Sequence, residues 1–191
     1  MAGIVIDSLL THWRAADPAT RRAGRSWYAE AEREAVELSR EAAPGVGPVA
    51  CAGILAALSP RAQWSVNVRW AWAAIRGEAI GGLPGNRAKA AAIATGTRPD
   101  HVLRGPKVRA FWRAIAGDPT AAVVDVWMAR AMGLGDAPLT PKRYAEAEAA
   151  LREAARRVRV PVRDFQATVW LQARGIKPTD PAGYRPAREI G

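Results

Sequence analysis

Apolar residues recur at intervals of three and four along nearly the whole chain, with Ala, Leu, Glu and Arg filling the positions between them. This pattern predicts helix almost throughout and gives strands little support, so the expected class is all-α. A polar amphipathic helix is expected from about Trp27 to Ala42. A second, from Val49 to Leu58, is apolar on every side and stops at Ser59-Pro60, which marks it as the central core helix. Further helices are expected over Trp64 to Arg76, closed by Gly77, and over Asn86 to Ala94, after the loop Gly81-Gly82-Leu83-Pro84-Gly85. His101-Val102-Leu103-Arg104-Gly105-Pro106 then reads as the turn of a helix-hairpin-helix over about 99–116. Its downstream helix, Lys107 to Ala116, ends at Gly117-Asp118-Pro119. Val123 to Met132, Pro141 to Val158 and Val162 to Arg174 complete the set, and the tail 178–191 reads as irregular. No internal repeat or low-complexity linker interrupts this order.

The 191 residues are enough for a substantial core and favour one globular unit, 1–191, over independent modules. Charge adds a partner to this picture. Lys plus Arg number 28 against 18 for Asp plus Glu, a net charge of +10, and such a field attracts phosphate backbones. DNA is therefore the expected partner, although a genome rich in G and C would also raise the Arg and Ala content. Cys51 is the only cysteine, which excludes an intrachain disulfide and a four-cysteine zinc or iron–sulfur site. His12 and His101 form no ligand cluster with Cys51 or with paired carboxylates, so neither a metal nor a cofactor is expected. The uncharged stretch Ala42 to Pro60 is broken by Pro44, Gly45, Gly47 and Pro48 and is too short to span a bilayer. The start of the chain lacks a signal-peptide layout. A cytoplasmic monomer in a bacterial or phage-infected cell is the expectation.

Two features carry candidate chemistry. A turn such as Leu103-Arg104-Gly105-Pro106 can aim backbone N–H groups and the following helix N-terminus at one phosphate oxygen, and Gly105 permits the close approach. Taken alone, it is also compatible with an ordinary helix corner. Asp125 lies between Ala121-Ala122-Val123-Val124 and Val126-Trp127-Met128, an apolar setting at the start of a helix where ionisation needs compensation. A carboxylate held there by helix amides, with Lys107 or Arg130 nearby, suits stabilisation of a sugar cation as a glycosidic bond breaks. It equally suits a structural N-cap.

Four segments, in order, resemble the helix-hairpin-helix (HhH-GPD) DNA glycosylase superfamily, in particular its endonuclease III-like branch. Leu58-Ser59-Pro60-Arg61-Ala62-Gln63-Trp64-Ser65-Val66-Asn67 is similar to that branch's Leu-Ser-Ala-Gln segment ending in Ser-Val-Asn, with one residue fewer. Asn86-Arg87-Ala88-Lys89 resembles its Asn-Ser-Lys-Ala helix start. Gly105-Pro106-Lys107 falls where the hairpin ends in Gly-Arg-Lys. Val124-Asp125-Val126-Trp127-Met128-Ala129-Arg130 falls where the family has Val-Asp-Thr-His-Val-x-Arg, at the family's lysine-to-aspartate separation. Together they cover roughly residues 50 to 132.

The resemblance implies a two-lobed helical fold with DNA in its cleft, the hairpin on backbone phosphate, and a flipped nucleotide in a pocket. Asp125, in the helix over about 123–132, would be the catalytic carboxylate. Lys107 falls on the lysine that forms a Schiff base in bifunctional, lyase-active members, and otherwise would contact phosphate. Leu103, Arg104, Gly105, Lys107, Asn67, Lys89 and Arg130 become candidate DNA contacts. Arg61 and Gln63 lie near the side chain that fills the gap left by the extruded base. Trp64, Trp127 and Gln166 become candidate base-pocket residues; Gln166 and Trp170 share a helical face. The cluster of Arg152, Arg156, Arg157, Arg159 and Arg163 either extends the phosphate track or forms a solvated face.

Departures from the family pattern widen the choice of activity. Leu103 stands in place of the hairpin's first glycine, Val126-Trp127 replaces Thr-His, and the cysteine cluster after the catalytic helix is missing. A base-excision enzyme of the DNA-repair type is the first expectation. A phage-type base-hypermodifying transferase, which adds an amino acid or polyamine to an activated pyrimidine, is the second. A non-catalytic hairpin module that only binds DNA is the third.

Overall fold

A computed structural model describes residues 2–175, and among these residues it contains ten α-helices and no strand. The order is α1 (Ala2–Ala15), α2 (Pro18–Glu41), α3 (Pro48–Leu58), α4 (Trp64–Arg76), α5 (Pro84–Ala94), α6 (Pro99–Val102), α7 (Pro106–Ile115), α8 (Val126–Ala131), α9 (Pro141–Arg157) and α10 (Val162–Arg174). The all-α expectation is met. The tail expected to be irregular, 178–191, lies outside the described residues. No described helix is long and apolar enough to cross a membrane.

The chain divides into two compact units, and the boundary falls inside α2. Among the described residues, the first comprises those up to Tyr28 together with 118–175, and the second spans Ala29–Gly117. In the first unit, α1, α9 and α10 surround a core of Leu9, Leu10, Leu151, Phe165 and Val169, with Met128 and Met132 from α8 and its end. Trp13 stacks on Phe165 with ring centroids 5.2 Å apart. The guanidinium of Arg21 donates to the carbonyls of Trp13 and Arg14, satisfying groups that the last turn of α1 leaves open. Asp17 starts α2 by accepting the Thr20 N–H at 2.6 Å, with Pro18 in the first helical position where a missing N–H costs nothing. This signal moves the start of α2 well ahead of the expected Trp27.

In the second unit α3 is the centre, as its all-round apolarity predicts: Cys51 through Leu58 are all buried, and α4, α5, α6 and α7 pack around it. Burial pushes the Cys51 thiol up to about 11, so it carries little thiolate near neutral pH. Gly53 lets α6 approach closely; an added Cβ there would meet the Pro99 ring at 2.7 Å. Likewise, the Gly81 backbone lies on the indole of Trp70, where a Cβ would stand 2.1 Å from Nε1.

Two element boundaries differ from expectation for local reasons. Residues 121–125 are not helical, so α8 begins at Val126 rather than Val123. Val123 and Val124 are β-branched residues that favour extended backbone, and the Val124 N–H is satisfied by the Tyr144 hydroxyl at 3.1 Å instead of by a helix carbonyl. On the hairpin's upstream side the helix is short, since α6 holds four residues only.

Candidate functional site

In the first unit the buried, non-helical segment Ala121–Val124 delivers Asp125 to the start of α8 as its N-cap, whose own backbone is extended at φ −95° and ψ −176°. Its Oδ1 accepts the Met128 N–H at 2.8 Å, and its Oδ2 accepts the indole N–H of Trp170 at 2.9 Å. Two donors from different elements therefore fix both the rotamer and the tilt of a partly buried carboxylate. Each oxygen keeps a lone-pair direction for a further partner.

Aromatic rings and cations surround this group. Trp127 lies under two guanidiniums, those of Arg130 at 4.5 Å and Arg174 at 5.3 Å from its ring centroid. Arg174 is also 4.5 Å from the Trp170 centroid, and Trp170 in turn leans on Trp27 at 6.3 Å. Such contacts orient a cation face-on to the ring. Arg130 is further committed, because its guanidinium forks onto the Asp136 carboxylate through Nε and Nη2.

Behind Asp125 are two buried phenols. Tyr28 donates its hydroxyl to Gln166 Oε1 at 2.7 Å. Burial, then the negative charge of Asp125, raises the Tyr28 phenol well above the usual 10.0. Burial pushes Tyr144 up to about 12. The Tyr144 value exceeds the unfolded value near 10, so its neutral phenol contributes stability that is complete below pH 10 and is lost as the pH rises through about 12, and the raised Tyr28 phenol acts in the same direction. For Tyr144 the two-unit difference corresponds to about 2 to 3 kcal/mol. Thermal unfolding midpoints are expected to fall steeply between pH 10 and pH 12. A Tyr144→Phe variant should show a shallower fall, and an unchanged pH profile in that variant would exclude Tyr144 as a source.

The structure brings Asp125, Trp127, Arg130 and Gln166 together in the first unit, and among them Gln166 departs from the place expected of it. Gln166 is 4% exposed and its carbonyl end is occupied by Tyr28, so it sits behind the carboxylate in the interior and presents no edge to a base. Trp170 and Arg174, missed as site residues, stand four and eight positions after Gln166, so the helical spacing could have found them.

The remaining candidates belong to the second unit. Leu103, Arg104 and Gly105 form the turn between α6 and α7, with Leu103 fully buried and Arg104 and Gly105 exposed. Gly105 has φ +83° and ψ 142°, a conformation side-chain-bearing residues rarely adopt, and nothing stands within 4 Å of where its Cβ would be. Backbone is therefore open to solvent at the tip. Lys107 follows in the first turn of α7, partly buried. Arg61 sits at the turn between α3 and α4, exposed and in the left-handed region at φ +65°, a conformation that costs a non-glycine residue about 1 kcal/mol or more. Gln63 is the exposed N-cap position of α4, and Trp64 begins that helix partly buried. Lys89 lies partly buried on α5.

Asn67 departs from its expected place on a DNA surface. It is 1% exposed, and its amide donates to the Leu55 carbonyl at 3.0 Å, tying α4 to α3. The basic run of α9 is also less available than its sequence suggests. Arg156 and Arg157 both bind Glu153, holding its carboxyl down to about 2, and Arg152 pairs with Glu148. Among the described residues no group of three His, Cys, Asp or Glu could hold a metal ion.

Neither a curated protein nor a solved structure matches the chain. A family model covering residues 3–177 does match, and the chain accordingly belongs to DUF7178, a family of unknown function.

Proposed function

We propose that this protein is a DNA glycosylase-like enzyme that flips an altered base out of DNA and cleaves its N-glycosidic bond. The observation that carries the reading is the Asp125 carboxylate, held at a helix N-terminus by the Met128 N–H and the Trp170 indole and bordered by an arginine–tryptophan stack. A fixed negative charge of this kind stabilises an oxocarbenium-like sugar as the C1′–N bond breaks and its electron pair leaves with the base. Water then adds at C1′ and the departing base takes up a proton, leaving free base and an abasic sugar.

The open glycine turn supports the DNA side of this reading, since the exposed Gly105 precedes the first turn of α7, where the N–H groups of Lys107 and Val108 after Pro106 suit a phosphate oxygen. Gly105→Val is expected to weaken binding to a DNA duplex by about tenfold, because the strained residue re-aims the turn and two or so phosphate hydrogen bonds are lost. Unchanged affinity, measured by fluorescence anisotropy, would argue against the hairpin as a phosphate site.

A competing reading rests on one specific observation: both carboxylate oxygens of Asp125 already accept hydrogen bonds within the protein. On that reading Asp125 is a structural cap and the protein is a DNA-binding module. Duplexes carrying uracil, hydroxymethyluracil, oxidised or alkylated bases separate the two. A glycosylase leaves alkali-labile breaks at the altered base in at least one duplex, and strands intact after alkali in all of them favour the module.

A further inference from the structure

Five arginines of the first unit are committed to neighbours. Arg152, Arg156 and Arg157 pair with glutamates of their own helix, Arg130 forks onto Asp136, and Arg21 caps α1. Arg174 is held differently. Its guanidinium lies against two indoles, 4.5 Å from the Trp170 centroid and 5.3 Å from that of Trp127, and among the described residues no carboxylate pairs with it. The residue is exposed.

Stacking occupies the faces of a guanidinium and leaves its edge, where the N–H donors are, directed away from the rings. A planar fork held in this way is suited to bidentate contact with a phosphate, and the two indoles reduce the side-chain entropy that binding would otherwise cost. Trp170 links this cation to the carboxylate, because the same indole that stacks on Arg174 donates its N–H to Asp125 Oδ2. Trp127, the other stacking ring, stands two residues after Asp125, at the second position of α8. An anion on Arg174 is thus presented on the same aromatic scaffold as the group that faces the sugar.

From this juxtaposition we infer that Arg174 binds the phosphodiester adjoining the nucleotide whose sugar lies against Asp125. The inference rests on the glycosylase reading and names a phosphate contact that the catalytic unit contributes independently of the hairpin. The alternative is that Arg174 only complements the negative end of the α10 dipole from its last turn. Lysine would serve that purpose equally well but would lose the fork and the stacking.

The test is a fluorescence-anisotropy titration of a short duplex containing a tetrahydrofuran abasic-site analogue, repeated over a series of KCl concentrations. Arg174→Gln is expected to weaken binding by about tenfold and to lower the slope of log affinity against log salt by about one. Arg174→Lys is expected to keep the wild-type slope while losing several-fold in affinity. Arg143→Gln, which removes an exposed cation from the start of α9, should change neither. Thermal midpoints identify any variant that is misfolded, in which case the lysine variant decides. Wild-type affinity and slope in both Arg174 variants would overturn the phosphate contact while leaving the glycosylase reading standing. A wild-type protein that fails to bind the duplex would overturn both.

Discussion

Asp125→Asn is expected to reduce base release by about a thousandfold or more while leaving DNA affinity within about twofold of wild type. Asparagine is close to isosteric and is as good an N-cap as aspartate, so its carbonyl can keep the Met128 N–H and the start of α8. What the substitution removes is the charge and one acceptor: its NH2 group meets the Trp170 N–H, a donor facing a donor. The structural cost is one lost hydrogen bond, about 1 kcal/mol, which a folded domain tolerates. The catalytic cost is the loss of a preorganised charge at the developing sugar cation, for which about 4 kcal/mol of transition-state stabilisation is ordinary. Single-turnover base release from the preferred duplex measures the first quantity and anisotropy the second. Equal rates in the variant and wild type would reduce Asp125 to a cap.

Gly24→Ala is expected to have the largest effect on stability, about 3 kcal/mol or more. A Cβ at Gly24 would stand 2.0 Å from the Thr168 Oγ1 and 2.7 Å from the Thr168 Cα and backbone N. The hydroxyl can rotate away, but the backbone atoms cannot, so α2 and α10 have to separate where they cross within the first unit. Overpacking of this kind reaches the upper end of the usual cost. Because α10 also carries Trp170, the shift would loosen the hold on Asp125. The contrast is Gly85, in the first turn of α5 with open space around its Cβ, where alanine should be neutral or slightly stabilising. Denaturant melts of the two variants test the difference, and similar midpoints would contradict the close crossing at Gly24.

The helices that sequence predicts most closely are those with chemical punctuation at their ends. Trp64–Arg76 and Val162–Arg174 have the expected limits because Gly77 and Gly175 close them in left-handed conformation. Helix α1 escapes the pattern, since Asp7, His12 and Arg14 divide its apolar residues into short pieces. For the candidate site, local pattern marks Asp125 as a group at a helix start in apolar surroundings, and Gly105 as a turn residue, and both are found so. Partners distant in sequence are what it cannot supply. Asn67 and Gln166 look available for DNA because they are polar, and they are buried with partners on other helices, the Leu55 carbonyl accepting from the Asn67 amide and the Tyr28 hydroxyl donating to Gln166. The arginines of α9 illustrate the opposite case, for Glu148 and Glu153 sit at helical spacing and their pairing is readable in advance.

The most direct measurement is nucleoside mass spectrometry on DNA carrying altered or hypermodified bases, incubated with wild type or with Asp125→Asn. The glycosylase account predicts free base and abasic sites with wild type and neither with the variant. A heavier nucleoside that appears only when an amine donor is supplied, or an unchanged nucleoside composition with every substrate, would contradict it.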